Sequence, residues 1–343
     1  MKNTNDYEIP LMNNYFPKVK RDYPIPEREN LLLAFEHKRP VWMPNFEGDS
    51  QIACNGTAMP GGFTEDKEVR TNFLGIPFCY SEAQKSATPC GAVLSEVINW
   101  EKELVLPDIE SLGLKENAAG YVRDENLVVG GHLDSACFEQ LHMLEGFEQA
   151  LIDLITEPAA CRNLFEALVD FELNIFKKQH SLYNFDYILY HDDWGTQRGP
   201  FFSIDLFKEA ILPPTIRLAK GIKAQGVKLV FHNCGLIDNF IPFLVEDIGA
   251  DGLQIQTINN IEHIISTYGD RVTVEYRRPD PYLLFNPNTT LDQVRDLART
   301  VVDTYGAHTN PGSGAVCTIN APNEEVYYAF DEEMVKYSLE KYK

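Results

Sequence analysis

The 343-residue chain lacks any apolar run of the roughly 20 residues that cross a membrane, and its opening stretch, MKNTNDYEIPLMNNYFPKVK, lacks the apolar core of a signal peptide. A cytoplasmic protein with no membrane association is the expectation. Cations are scarce too: 30 Lys and Arg stand against 51 Asp and Glu, a formal net charge of -21. That excludes nucleic-acid binding, which needs clustered cations against phosphate. Cysteine is sparse and odd in number, seven residues at 54, 79, 90, 137, 161, 234 and 317. No disulfide framework is expected, and the thiols are free to pack, react or bind metal. The chain has no Gly-x-Gly-x-x-Gly after a strand, no phosphate-binding loop, no Gly-x-Ser-x-Gly and no Cys-x-x-Cys, which leaves nucleotide and serine-hydrolase readings without support. What is present is ordinary globular composition, 44% hydrophobic and 24% charged, in a chain long enough to bury a large core.

From about residue 185, short β-branched or aromatic runs alternate with amphipathic stretches, the pattern of consecutive strand-helix units. Five strands are expected, over 187–190, 228–231, 252–255, 272–276 and 314–318. Helices are expected from near Ser203, an N-cap with Asp205 in the first turn, then over 237–246 and 260–268 with Gly269 as the C′ residue. Pro213-Pro214 should break or restart the first of these. Thr290 and Gln293 have capping-box spacing before a helix from Leu291, and a last helix starts near Asn323. Strands joined by one helix each must run parallel through right-handed crossovers. The first half offers a helix over 26–37, strands over 41–46 and 127–131, and helices over 146–155 and 158–178. In the last of these Leu164, Leu168, Phe171 and Ile175 fall on one face. No linker or composition shift divides the chain. The expectation is a single α/β domain over 1–343, a closed (β/α)8 TIM-type barrel with an N-terminal extension to about residue 25 and an irregular insertion around 50–125. An open doubly wound sheet is the alternative.

Three residues invite a metal reading. His232 and Cys234 stand two apart at a strand end and so point the same way, and Cys317 lies on the last strand. One imidazole and two thiolates form a zinc set that leaves a fourth position open, as a catalytic zinc requires. The competing reading is a packed histidine near two inert cysteines. A second constellation, His191 to Gln197, carries Asp192 and Asp193 directly after a buried strand. Neighbours in an extended segment face opposite ways, so only one can face the barrel mouth, as an acid or base; the other reading is an Asp that caps its own loop. Asn45-Phe46-Glu47-Gly48-Asp49 supplies further carboxylates, with Glu47 a catalytic candidate and solvated turn residues the alternative. Arg277 can anchor a substrate carboxylate or phosphate or serve as a surface residue, and Phe46, Trp194 and Tyr276 can wall an apolar pocket or belong to the core.

HDDWGTQRGPFFS at 191–203, HNCG at 232–235, FLVEDIGADGLQIQ at 243–256 and YGDRV at 268–272 resemble the uroporphyrinogen decarboxylase superfamily. The likeness runs from Arg39-Pro40-Val41-Trp42 to the C-terminal helix. It implies a (β/α)8 barrel and one of two activities, decarboxylation or corrinoid-dependent methyl transfer. In the decarboxylases an Arg-rich run after the first strand holds substrate carboxylates. Here that place reads Pro44-Asn45-Phe46-Glu47-Gly48-Asp49, with no cation, so a polycarboxylate tetrapyrrole would be repelled.

The methyltransferase branch is marked by His-x-Cys and a distant Cys that bind zinc, a pattern His232, Cys234 and Cys317 match. Asn99-Trp100-Glu101, Leu106-Pro107-Asp108 and Phe138-Glu139-Gln140-Leu141 look like the substrate methyltransferase component of O-demethylases. The resemblance implies zinc as cofactor, cobalamin carried by a partner corrinoid protein, and a small-molecule methyl donor. The expected reaction cleaves a methyl ether, aryl ethers included, and hands the methyl group to Co(I). A zinc-dependent methylcobalamin:thiol methyltransferase is the alternative, and a non-catalytic scaffold that binds the corrinoid protein is a third.

Overall fold

The computed structural model describes residue 16 and residues 23–54, 68–82, 86–134 and 137–343. The N-terminal extension expected up to about residue 25 lies almost wholly outside them. The fold is α/β. Its strands among the described residues are β1 Ser50–Cys54, β2 Arg70–Thr71, β3 Pro77–Ser81, β4 Ser86–Pro89, β5 Val128–Asp134, β6 Tyr187–His191, β7 Lys228–Asn233, β8 Gly252–Ile255, β9 Thr273–Arg277 and β10 Ala315–Thr318. The chain divides into two compact units, one of Met1–Gln51, Asp124–Val128 and Asp251–Lys343, the other of Ile52–Arg123 and Val129–Ala250. No helix among the described residues is long and apolar enough to cross a membrane.

In the unit that contains Val129–Ala250, β5, β6 and β7 are parallel neighbours, in register from Gly130 with Tyr187 to His191 with His232. Tyr187, Ile188, Leu189 and Tyr190 are all buried, as a parallel strand covered on both faces requires. Ser203 caps the following helix by accepting from the Leu206 N–H at 3.2 Å. The expected break at Pro213-Pro214 takes a milder form. A wide turn over Phe207–Ile211 lets the helix resume at Leu212–Lys223 with both prolines in its first turn, where no N–H is needed. The helix Pro158–Tyr183 buries more than the expected stripe, because Phe165, Val169, Leu173 and Phe176 are also covered. Part of the cover comes from the expected insertion. It contains an antiparallel sheet of β2, β3 and β4, and it lays Leu114 on Phe171 and Ile175, ringed by Phe73, Leu106, Ile109, Leu112 and Leu182.

In the other unit β8, β9 and β10 are parallel neighbours. The helix Leu291–Tyr305 opens with a full capping box of Thr290 and Gln293. Two expectations need correction here. Gly269 ends its helix at φ -63°, in the right-handed region, and supplies no left-handed cap. Residues 41–46 form no regular strand; Asn45 alone bridges to Cys317, whose N–H donates to the Pro44 carbonyl at 2.9 Å while Phe46 donates back to Cys317 at 2.8 Å. Pro44 carries no N–H, and the Val41, Met43 and Asn45 N–H groups donate to the Asn30, Ser338 and Asp49 side chains instead of to a ladder.

Candidate metal centre

The register of β6 and β7 sets His191 opposite His232, and their rings stack with centroids 4.2 Å apart. Two residues further on, both strands have turned into loops, and alternation brings Asp193 to the same side as Cys234. The His232 Nε2 lies 3.3 Å from the Cys234 Sγ and 3.7 Å from the Asp193 Oδ1. One donor atom from each of Asp193, His232 and Cys234 falls within 4.8 Å of the others. Zinc bonds of about 2.0–2.3 Å in tetrahedral geometry separate two ligand atoms by roughly 3.4–3.6 Å. One nitrogen, one sulfur and one oxygen at this spacing fit a single zinc ion. The group is half-buried, so a fourth position can open to solvent or substrate.

The two loops are tied to each other by backbone and amide contacts. The Cys234 N–H donates to the Asp193 Oδ1 at 2.5 Å, the Trp194 N–H to the Asn233 Oδ1 at 3.2 Å, and the Leu236 N–H to the Thr196 carbonyl at 2.8 Å. The Asn233 amide returns a bond to the Asp192 carbonyl. Gly235, at φ +84°, backs directly onto the Gly195 backbone, where any Cβ would collide.

The structure separates the two adjacent aspartates. Asp192 is 0% exposed and turns to the opposite face, where its carboxylate accepts from the Glu139 N–H at 2.9 Å and the Phe138 N–H at 3.4 Å, in the first turn of the helix Cys137–Glu145. Burial pushes its carboxyl up to about 7, opposed by the nearby Trp194 indole and by the hydrogen bonds from these two amides. Asp192 therefore caps a helix, and Asp193 faces the cluster.

The remaining candidates are placed elsewhere. Trp194 is fully buried among Phe207, Phe231 and Phe240, and Phe46 is buried edge-on against Phe35. These packed rings present no surface to a substrate, so both belong to the core. Tyr276 stacks on Tyr305 at 4.3 Å. In the same unit Arg277 already holds carboxylates: its Nη2 lies 3.3 Å from Glu47 and its Nε 3.3 Å from Glu275. Glu275 also accepts from Gln254 at 2.6 Å and Thr318 at 2.5 Å, and burial above all pushes it up to about 7.

Cys317 lies on β10, in the unit that contains Asp251–Lys343. The register sets it beside Tyr276, whose ring lies on the helix Leu291–Tyr305, so its thiol faces the helix layer. Thr318 and Glu275 face the other way. Burial pushes the Cys317 thiol well above the ordinary range. The third donor of the assembled cluster is the Asp193 carboxylate.

Two neighbours were not singled out from sequence. His191 stacks on His232 and meets the His132 ring at a tilt with centroids 5.6 Å apart, a row that the pairing of β5, β6 and β7 creates. His142, on the helix that Asp192 caps, lies within the field of Asp193 and between Phe138 and Phe147, with centroids at 5.6 and 5.7 Å; burial pushes its imidazole down. The signal for His191 was its register with His232, which needs the strand pairing. His142 had none.

The uroporphyrinogen decarboxylase (URO-D) profile matches residues 124–330, more than half of the chain, and the protein belongs to that family. Among solved structures, a methyltransferase from Methanosarcina mazei superposes with a TM-score of 0.61 at 12% identity, over 91% of this chain and 99% of that one. At that identity the likeness establishes the fold. No curated protein matches the chain in sequence.

Proposed function

We propose that this URO-D family member is a methyltransferase that takes a methyl group from a small donor, a methyl ether with aryl ethers in the candidate range, and passes it to Co(I) of a separate corrinoid protein. The observation that carries the reading is the Asp193, His232 and Cys234 cluster, with its three donor atoms within 4.8 Å. Two facts support it. Residues 44–49 hold no cation for a polycarboxylate tetrapyrrole, and a solved structure of similar fold is a methyltransferase. The reading includes a closed eight-stranded barrel, the architecture that family membership implies.

The difficult step in ether cleavage is the departure of an alkoxide or phenolate, because Co(I) is already a strong nucleophile. A zinc ion held by His232, Cys234 and Asp193 would supply a Lewis acid for the leaving oxygen. His232 is oriented by the stacked His191, and Cys234 and Asp193 by the bond between the Cys234 amide and the Asp193 carboxylate. Asp192 fixes the Asp193 loop to a helix N-terminus and donates no proton in this scheme. Glu47 and Glu275 share Arg277 and take no assigned step.

Metal analysis and methyl transfer test the reading together. Purified protein should carry zinc near stoichiometry, Cys234→Ala and His232→Ala should lose most of it, and Cys317→Ala should keep it. Incubation with reduced corrinoid protein and a methoxyarene should generate methyl-Co(III) absorbance. Equal zinc in wild type and Cys234→Ala would remove the metal reading, and demethylation of methylcobalamin only on adding a thiol would replace the ether donor by the thiol reaction.

A further inference from the structure

Cys79 lies on β3 and Cys90 directly follows β4. The register pairs Phe78 with Pro89 and Cys79 with Thr88, and the Cys90 N–H donates to the Pro77 carbonyl at 2.8 Å. Cys90 is therefore opposite Pro77 and diagonal to Cys79 on the same face of the hairpin. The register puts the two side chains on one face within reach of each other, close enough for Cys79 to push the Cys90 thiol up, and Cys90 is exposed while Cys79 is half-buried. A thiol is a weak donor and a weak acceptor, so the pairing contributes little to the hairpin as a hydrogen bond. Neither residue belongs to the metal cluster.

We propose that Cys79 and Cys90 are a redox modification site, a thiol pair that a low-molecular-weight disulfide such as oxidised glutathione converts into a disulfide stapling β3 to the end of β4. The Cys90 thiolate, the more accessible, attacks one sulfur of oxidised glutathione, giving a mixed disulfide and releasing one glutathione. Cys79 loses its proton and attacks the Cys90 sulfur, forming the protein disulfide and releasing the second glutathione. Two protein thiols and one oxidised glutathione become one protein disulfide and two reduced glutathiones, so electrons and protons balance. Partial desolvation and then the neighbouring Cys79 push the Cys90 thiol up, so the exchange accelerates as pH rises and thiolate accumulates. Cys137, Cys161 and Cys317 are buried, with thiols pushed far up by that burial, and resist the same reagent.

Lys85 lies between the two cysteines, so trypsin releases them on separate peptides. Full-length protein treated with oxidised glutathione and digested without reductant should yield those two peptides joined, with seven free thiols reduced to five. The joined species should vanish on reduction and be absent from Cys79→Ser and Cys90→Ser, while Cys234→Ala still forms it. A glutathione adduct that persists on Cys90 with Cys79 free, or both thiols intact after prolonged oxidation, overturns the proposal.

Discussion

Glu145 keeps a proton that a glutamate in water gives up. It is buried at the end of the helix Cys137–Glu145, and that burial, followed by the charge of Asp153, pushes it up to about 8. The Val97 N–H and the Gln149 amide both donate to the Asp153 carboxylate at 2.7 Å, which fixes it beside Glu145. A carboxyl whose folded value is raised binds its proton more tightly when folded. The stability it contributes is complete below its unfolded value of 4.5 and disappears as pH rises through about 8. The melting temperature should therefore fall between about pH 5 and about pH 9, and Glu145→Gln should flatten that fall and be the more stable protein at the alkaline end. Parallel melting curves for both proteins would overturn this. At this scale the site was half legible. The His-x-Cys spacing announced His232 and Cys234, and strand alternation announced that only one of Asp192 and Asp193 could face them. Which one was decided by the amides of Phe138 and Glu139, from a helix more than fifty residues upstream.

The elements that hold the site are two strand ends and the loops that leave them. Gly195 and Gly235 let those loops touch backbone to backbone, and Gly235 also sits in the left-handed region. Gly235→Ala should cost more than the roughly 1–2 kcal/mol of a left-handed alanine, because the added carbon meets the Gly195 backbone, and bound zinc should be lost with it. Gly249 is the control: at φ +70° its Cβ would meet only the Lys223 Nζ at 3.7 Å, so Gly249→Ala should show the backbone cost alone and keep its metal. Denaturant melts with metal analysis on the two variants separate these outcomes. Local signals sufficed where they were complete: β6, β7 and β8 announce themselves as apolar runs, and Ser203 and Thr290 as caps. Residues 41–46 read as a strand by composition, but only one bridge forms, because Pro44 lacks a donor and the side chains of Asn30, Ser338 and Asp49 take three others. The side of the sheet to which Cys317 belongs is likewise a matter of register with Tyr276, which no single strand reveals.

Over the whole molecule the dominant physical property is charge, 51 acidic against 30 basic side chains. The few cations are partly spent internally, as in Arg277 on Glu47 and Glu275, Arg123 on Asp186, and Arg217 on Glu166 and Asp170. An anionic surface repels a free polyanion and attracts a protein with a basic docking face, and both effects act over the Debye length, about 30 Å at 0.01 M salt and about 10 Å at 0.1 M. Within the proposed function this separates the two acceptors that a methyl-transfer assay can use. Transfer to the corrinoid protein requires docking of two macromolecules, whereas free cob(I)alamin is small and diffuses in without matched surfaces. The second-order rate constant with the corrinoid protein should fall by roughly tenfold or more on raising salt across that range, while the constant with free cob(I)alamin stays nearly level. Stopped-flow traces of methyl-Co(III) formation at several salt concentrations give both constants. A salt-independent rate with the corrinoid protein would mean that its docking face is not basic and that the excess of carboxylates serves solubility rather than partner choice.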